Sequence, residues 1–495
     1  MRNVIDYELC IPGASTHRKG LGVPILMDPA AGLSSDSECI RCPIKEMKRR
    51  TFFQRTLAGT LSLGIPLGLS RARSQGNVPA SQRVRVGFVG VAGRAGTLLR
   101  SFASQPDVEI VAVAEVDPRR LPNAMKMLHD RGLNPPTVHK DFRYLLDDSS
   151  IDALVIGTPD HWHAIPTIMG CQAGKDIYVE KPDGHNMLEG RRMVQAMRKY
   201  RRVVQLGTQS RSSPRMIEAI EFLRTGVLGR VLVAKAWETT LQGSIGSPPD
   251  ADPPPGVDYD FWLGPAPRRP FNPCRFHGSW RWFFDYGTGD LGNDGVHRID
   301  YARWALEAAV EAQGFDLPAL PRSISALGGK WYFDDLQEWP DTMQVNYAYG
   351  GDGLDSGRLL TYEMRVWSPH KMHGAGEGAM LYGDQGYLMI DNRHWRAFDA
   401  GGRMIREGKA PQAGNLHVRN FLDCVKSRQR PNADLETIGH PSSLYCHAGN
   451  LAWRAGRQVT LDPVSETFLE DPEANALRTR TSYREPWLLP TAEAL

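Results

Sequence analysis

The sequence predicts an α/β protein that begins with a doubly wound parallel sheet and continues into an α+β domain with a largely antiparallel, open sheet. Between residues 81 and 209, short apolar runs alternate with helical segments, a pattern typical of parallel sheets. A glycine-rich turn follows the first of these runs. Beyond residue 210, strand-like runs succeed one another with turns such as 383–386 between them, which indicates antiparallel pairing.

The composition is typical of a globular protein and argues against a disulfide scaffold. The chain has 495 residues, of which 41% are hydrophobic and 23% charged, as expected for two or three globular domains. Its 59 basic and 56 acidic residues nearly balance, so the net charge gives no reason to expect a nucleic-acid partner. Seven cysteines are too few for a disulfide scaffold. The Cys39–Cys42 pair has no second pair beside it, and we predict no metal site.

The N-terminal region resembles an export signal. In residues 47–75, Arg49 and Arg50 precede an apolar run at 57–69, as in twin-arginine signals. This run is too short to span a bilayer comfortably, and the alternative is a basic flank on a short hydrophobic anchor. We therefore expect the twin-arginine machinery as a partner and a periplasmic or otherwise exported protein. The expected organisation is a mis-called or disordered extension (1–46), a signal and linker (47–80), a dinucleotide-binding domain (81–209) and an α+β domain (210–495).

The glycine turn predicts a dinucleotide site in a Rossmann domain. It lies between an apolar run at 84–90 and a helix, the context in which backbone N–H groups and a helix N-terminus bind a pyrophosphate. Glu115 ends the next apolar run, where a carboxylate meets the ribose of NAD. Arg119 and Arg120 follow it and leave NADP open; the alternative for Glu115 is a solvated carboxylate. The predicted turn contacts are Gly90, Ala92, Gly93, Arg94, Ala95 and Gly96.

Further candidates lie where later strands end, because ligands of doubly wound sheets bind outside the carboxyl ends of the strands. The predicted strands at 151–157, 175–179 and 203–209 end in polar residues. The predicted cofactor contacts there are Thr158, Pro159, His161, His163, Glu180, Lys181 and Gln209.

Several motifs together resemble the Gfo/Idh/MocA oxidoreductases, the relatives of glucose–fructose oxidoreductase and inositol dehydrogenase. They are TPDHWH at 158–163, AGKDIYVEKP at 173–182, GTQSRS at 207–212 and the segment 280–306 with its GxHxxD pattern. The resemblance implies that Lys181 lies beside the nicotinamide and the substrate hydroxyl, and that His297 is the family's catalytic histidine. Asn293 stands where members use an aspartate as the partner of that histidine; an amide can hold a hydroxyl or the imidazole by hydrogen bonds but takes no proton. Asn293 and the adjacent Asp294 are further catalytic candidates, and Asp300, one helical turn beyond His297, is the alternative group to orient it. The alternative for both aspartates is a carboxylate at a helix N-terminus.

The second domain is expected to supply the substrate site. Residues 241–273 are rich in proline and glycine and predict a long, functional loop. Aromatic and polar side chains follow it, as a sugar site requires, although aromatic residues are also common in cores. The resemblance implies that the open sheet pairs with another subunit in a homo-oligomer. The substrate-binding candidates are His277, Trp280, Arg281, Asp285, Tyr286 and Asp300.

The sequence is consistent with three functions. The first is an NAD(P)-dependent oxidoreductase that acts on a CH–OH group of a sugar, sugar derivative or cyclitol. The second is a glycosidase, epimerase or lyase that uses a tightly bound NAD transiently; the resemblance implies that the glycosidase branch often lacks the lysine present here as Lys181. The third is a non-catalytic sugar-binding protein. Export favours a tightly bound cofactor, since NAD(P) is scarce outside the cytoplasm.

Overall fold

The computed structural model describes residues 79–350, 357–410 and 413–495. The predicted export signal and the extension before it lie outside these residues. Among the described residues, no helix is long and apolar enough to cross a membrane.

The first part of the chain forms a six-stranded parallel sheet in the order β3-β2-β1-β4-β5-β6. Strand order reverses between β1 and β4, which opens a crevice at the carboxyl ends of the strands. The strands are β1 (Val84–Val89), β2 (Val108–Ala114), β3 (Thr137–His139), β4 (Ala153–Ile156), β5 (Asp176–Val179) and β6 (Val204–Leu206). The helices between them are α1 (Gly93–Phe102), α2 (Leu121–His129), α3 (Arg143–Asp147), α4 (Ala164–Gln172) and α5 (Met187–Tyr200).

The rest of the chain builds a ten-stranded sheet in the order β14-β13-β12-β11-β7-β10-β9-β8-β15-β16, antiparallel except for the parallel pair β7 and β10. Its strands are β7 (Val231–Glu238), β8 (Ser323–Gly329), β9 (Thr342–Tyr349), β10 (Arg358–Arg365), β11 (Glu377–Gly383), β12 (Gly386–Ile390), β13 (His394–Asp399), β14 (Met404–Lys409), β15 (Val459–Asp462) and β16 (Thr467–Phe468). Its helices are α6 (Pro214–Leu223), α7 (Tyr259–Leu263), α8 (Val296–Glu311), α9 (Gly414–Ser427), α10 (His440–Ala455) and α11 (Pro472–Ala476).

The predicted fold class is confirmed. Along β9 and β10, buried residues alternate with partly exposed ones, as in a sheet covered on one face. The helices α8 and α10 cover the buried face, and the main apolar core lies beneath them.

Two segments near the end of the chain pack against the parallel sheet and its helices. Phe421 of α9 packs against Phe102 and Tyr178. Near the C-terminus, the Trp487 ring lies 4.8 Å from that of Trp162. Residues from the last part of the chain therefore complete the packing around the parallel sheet.

Candidate active site

A cavity of about 310 Å³ occupies the crevice where strand order reverses. It is lined by residues at the carboxyl ends of β1, β2, β4 and β5 and by the segment between β7 and α8. The sequence-predicted residues that line it are Gly90, Ala92, Gly93, Arg94, Glu115, Thr158, Pro159, His163, Glu180, Lys181, His277, Trp280, Arg281 and Asn293.

The glycine turn has the geometry of an anion-binding loop. Gly90 and Gly93 have φ values of +86° and +55°, conformations that favour glycine. A Cβ built on Gly93 would meet nothing within 4 Å, so the backbone there is open to a ligand. Helix α1 begins at Gly93 without a side-chain cap, which leaves its first N–H groups available to a phosphate.

Ala95 and Gly96 do not line the cavity, contrary to their predicted roles as cofactor contacts. Ala95 is fully buried against Gly157, where an added Cβ would lie 2.7 Å from the Ala95 Cβ. A Cβ on Gly96 would lie 3.0 Å from the Val91 carbonyl oxygen. Both small residues therefore bring α1 close to the strand ends, and alanine is tolerated at 95 because residue 157 is glycine.

Glu115 lies at the end of β2 beside the glycine turn. Its carboxylate accepts hydrogen bonds from Val91 N at 3.2 Å and Asp117 N at 3.0 Å. Burial raises the pKa of Glu115. Arg119 makes a two-bond contact with Asp117, at 2.8 and 2.7 Å, whereas Arg120 lines the cavity. The carboxylate is thus fixed where a ribose would lie, and both arginines face Asp117, Arg119 through two hydrogen bonds and Arg120 Nε at 3.7 Å.

Lys181 follows β5 and reaches across the cavity to Asn293. Its Nζ donates to the Asn293 carbonyl oxygen and, at 3.1 Å, to Asn293 Oδ1. Asn293 lies in the π-helical turn Leu291–Gly295 that precedes α8, and such turns are frequent at functional sites. The cavity therefore presents an ammonium group and an amide together.

Arg94 is held beside the turn by two predicted contacts. Its guanidinium donates to Glu180 Oε1 at 2.8 Å and to Gln209 Oε1 at 3.2 Å, and the Glu180 carboxylate raises the pKa of Arg94. Gln209 itself does not line the cavity. Its role in the structure is to orient Arg94.

His297, at the start of α8, does not line the cavity. It is buried, and its Nδ1 has no hydrogen-bond partner in the described part of the chain. Burial lowers its pKa well below the ordinary value, and the charge of nearby Lys181 lowers it further, so the imidazole is neutral. Asp294 does not line the cavity either.

The prediction that Asp300 binds substrate or orients His297 is wrong. Asp300 is fully buried, and its carboxylate accepts from the Arg211 guanidinium at 2.8 to 3.1 Å. It also accepts from Ser442 Oγ at 2.6 Å. These bonds occupy the carboxylate in a buried ion pair between α8 and the segment that joins β6 to α6.

The two histidines of the TPDHWH motif differ. His161 is buried away from the cavity, where its nitrogens face the carbonyl oxygens of Trp262 at 2.9 Å and Tyr286 at 3.3 Å; burial lowers its pKa to about 3. Its predicted cofactor contact is therefore wrong. His163 lines the cavity, and its Nδ1 lies 2.6 Å from Pro182 O, so it holds the segment that carries Lys181.

Asp160, between these motifs, is a cavity residue that the sequence reasoning missed. It is buried, lines the cavity, and accepts a hydrogen bond from Thr288 Oγ1 at 2.8 Å. Burial raises its pKa, while the charges of His163 and Lys181 act in the opposite direction. Its position just after a strand end was the available signal.

The predicted substrate loop instead covers the end of β2. Asp258 N donates to Val116 O at 3.1 Å, and His277 Nε2 lies 2.5 Å from Asp117 Oδ2. Trp280 and Arg281 line the cavity. We name residues 256–282 the covering segment.

Two other substrate candidates do not reach the main cavity. Tyr286 is fully buried, with its ring beside that of His161. Asp285 forms an ion pair with Arg269 at 3.0 Å and lies on the wall of a second cavity. Contrary to the prediction, neither Tyr286 nor Asp285 lies in the site around Lys181.

Comparison with known proteins identifies the family to which both parts of the fold belong. Two models of one oxidoreductase family match the chain: the NAD-binding Rossmann fold over residues 84–208 and the C-terminal α/β domain over 229–313 and 405–489. A glycosyl hydrolase family 109 protein of Shewanella pealeana is 30% identical over 28% of this chain and 34% of its own length. An inositol 2-dehydrogenase of Rubrobacter xylanophilus is 25% identical over 47% of this chain and 54% of its own length.

Among solved structures, levoglucosan dehydrogenase in complex with NADH and levoglucosan superposes with a TM-score of 0.59. It shows 17% identity and covers 77% of this chain and 100% of that one. This likeness shows the fold. The alignments with the two curated relatives span a third to about half of those proteins' lengths.

Proposed function

We propose that this chain, which belongs to the Gfo/Idh/MocA family of oxidoreductases, is an exported NAD(P)-dependent enzyme that oxidises or reduces a CH–OH group of a carbohydrate or cyclitol. The observation that carries the proposal is the contact of Lys181 with Asn293 inside the cavity beside the glycine turn. It places a proton donor and a neutral hydrogen-bonding group where a hydroxyl can lie between the strand ends and α8.

The cavity fits a dinucleotide. The Gly90–Gly93 turn and the N-terminus of α1 would hold the pyrophosphate, and Glu115 would accept hydrogen bonds from the ribose hydroxyls. When bound, the nicotinamide would accept or supply hydride. We favour NAD over NADP because Glu115 would repel a 2′-phosphate and Arg119 is bonded to Asp117.

Lys181 carries the proton chemistry in this proposal. During reduction the Lys181 ammonium donates its proton to the carbonyl oxygen as hydride reaches the carbon, and during oxidation the neutral amine takes the hydroxyl proton as hydride leaves. Asn293 orients the ammonium and the hydroxyl but takes no proton, since an amide has no basic site. His297 does not line the cavity, and burial lowers its pKa, so its imidazole is neutral.

The covering segment supports tight retention of the cofactor. It is fixed to β2 by His277 and Asp258, so a dinucleotide would leave only after this segment moved. Retention suits the export that Arg49 and Arg50 predict. Pairing of the open ten-stranded sheet with a second copy remains part of the same proposal.

A second candidate is a net non-redox sugar enzyme that returns hydride to its substrate. The covering segment favours it, because a trapped cofactor must be recycled in place, and one relative is named a glycosyl hydrolase. Lys181 favours net redox chemistry, which stays first. The third candidate, sugar binding without catalysis, gives the Lys181 ammonium no chemical role.

The experiment is to purify the chain and identify any nucleotide that it retains, then to screen sugars, cyclitols and glycosides with and without added cofactor. Lys181→Met should lower kcat by about 100-fold or more while leaving the retained nucleotide in place. Lys199→Met, at an exposed lysine of α5, is the matched control and should keep full activity. Unchanged turnover in Lys181→Met would remove the lysine from the mechanism, and glycoside cleavage without net NADH would select the second candidate.

A further inference from the structure

A second cavity, of about 200 Å³, lies beside the chain that follows Lys181 and shares no lining residue with the first. Its walls are the start of α5, the aromatic rings of Phe284 and Trp339, one face of α10 and the C-terminal residues 476–482. None of the functions considered above uses it.

One face of α10 brings polar groups into this cavity. His447, Asn450, Leu451 and Arg454 have the i, i+3, i+4, i+7 spacing of a single helix face, and all four line it. His447 is 6% exposed; its Nε2 lies 3.7 Å from Asp183 Oδ1 and makes no hydrogen bond within the described residues. The Asn450 amide is fixed by a 2.7 Å hydrogen bond to Thr288 O.

Two guanidinium groups supply positive charge. Arg454 lies 5.2 Å from the centroid of the Phe284 ring, and the structure gives it no hydrogen bond or ion pair among the residues it describes. The Arg480 side chain is 5% exposed and donates through Nη1 to Asp285 O at 2.8 Å, but its Nη2 is buried without a partner in the same residues. Both groups therefore retain N–H donors that a ligand can use.

The carboxylates nearby are already engaged. Glu189 Oε1 accepts from Asn186 and Tyr483 at 3.0 and 2.9 Å, and Arg480 Nε lies 3.4 Å away. Asp285 Oδ2 accepts from Arg269 at 3.0 Å. The charge of Asp285 acts on Arg454, but Asp285 pairs directly with Arg269, so Arg454 and the Nη2 atom of Arg480 keep N–H donors for a ligand.

His185 adds a hydrogen-bond acceptor to this cavity. Its Nε2 faces Phe284 O at 2.8 Å, and burial lowers the pKa of the imidazole well below its ordinary value. The neutral ring donates through Nε2, so its unpartnered Nδ1 presents a lone pair that accepts a hydrogen bond. A hydroxyl group of a ligand would donate a hydrogen bond to this nitrogen.

Guanidinium groups bind carboxylates and phosphates through paired N–H donors, and the rings of Phe284 and Trp339 offer apolar faces for C–H groups. We propose that this second cavity binds a small polyol that carries an oxyanion, either a sugar carboxylate or a sugar phosphate, with the oxyanion between Arg454 and Arg480. The volume of about 200 Å³ suits a single monosaccharide unit. The proposal does not depend on the reaction at Lys181.

Calorimetric titration of the purified full chain tests the proposal, with gluconate, inorganic phosphate and neutral glucose as probes. We expect saturable binding of gluconate, phosphate or both, and binding of glucose at least about tenfold weaker. Gluconate alone identifies a carboxylate ligand, and phosphate alone identifies a phosphate ligand. Absence of saturable binding by either anion, or equal binding of glucose, overturns the proposal.

Variants locate the binding. Arg454→Gln should weaken anion binding by about tenfold or more, and Arg454→Lys, which keeps the charge but loses the paired donors, should lie between the two. Arg457→Gln is the matched control, because Arg457 pairs with Asp471 and Glu473 outside the cavity and should bind like the parent. Unchanged NAD(H) binding shows that each variant is folded. Anion binding that Arg454→Gln leaves unaltered belongs to another site and overturns the proposal.

Discussion

A buried charge network anchors the segment that carries Lys181, and its energy is testable through pH. Asp183 Oδ2 lies 2.6 Å from His440 Nδ1, at the start of α10, and His440 Nε2 lies 3.1 Å from Glu466 Oε2. All three side chains are almost completely buried. The two carboxylates raise the pKa of His440 from 6.5 to about 9, against the effect of burial, which is the largest single influence and lowers it.

The direction of the pH dependence follows from that rise. A pKa that is higher in the folded state means that protonated His440 stabilises the fold fully below pH 6.5 and that this contribution is lost as the pH rises through about 9. Each pKa unit corresponds to about 1.4 kcal/mol, so the contribution is about 3 kcal/mol. His440→Gln should therefore lower the free energy of unfolding by about 3 kcal/mol near pH 6 and by much less near pH 9.5.

Urea denaturation followed by tryptophan fluorescence at the two pH values measures this difference. The control is His129→Gln, since the His129 side chain is 91% exposed and its replacement should change stability little at either pH. A difference between parent and His440→Gln that stays the same at both pH values would show that His440 acts through packing and not through its charge.

Two further predictions concern the cofactor site. Gly157→Ala places a Cβ 2.7 Å from the Ala95 Cβ, so it should cost about 1–3 kcal/mol of stability and reduce nucleotide retention. Thermal melting measures the first effect, and the nucleotide released on denaturation measures the second. Gly414→Ala, whose added Cβ meets nothing within 4 Å, is the control, and equal nucleotide retention in the two variants would contradict the packing argument. His277→Asn removes the contact with Asp117 at a φ of +60° that asparagine tolerates and should speed NADH release about tenfold in a fluorescence displacement assay. His373→Asn, at a φ of +49°, is its control, and an unchanged release rate would mean that the covering segment does not retain the cofactor.

The sequence was sufficient for the fold class because hydrophobic periodicity and turns are local signals. Alternation of strands and helices identified the parallel sheet, and the rule that ligands bind at the carboxyl ends of such strands selected Thr158, Glu180 and Lys181. The same rule did not separate Asp160 from its neighbours. Only the fold shows that Asp160 lines the cavity and bonds to Thr288, 128 residues further along the chain.

The assignments that failed depended on distant partners. His161 and Asp300 are polar residues in motifs, and a sequence does not show that a carbonyl at Trp262 or a guanidinium at Arg211 already satisfies them. The loop at 241–273 was correctly read as a long excursion, yet the direction in which it folds is set by His277 and Asp117, which lie 160 residues apart. Burial and pairing of this kind arise only from tertiary structure.

Asn293 changes how the reactive centre has to work. With an aspartate at this position, a proton could pass from Lys181 to a carboxylate and then to a histidine. Here the lysine bonds directly to an amide, and burial together with the charge of Lys181 keeps His297 neutral. Asp160 is a buried carboxylate on the same cavity wall; burial raises its pKa, and the charges of His163 and Lys181 act in the opposite direction. Because an amide has no basic site, Asn293 cannot pass a proton from Lys181 to His297, so the relay that an aspartate would provide does not operate through position 293.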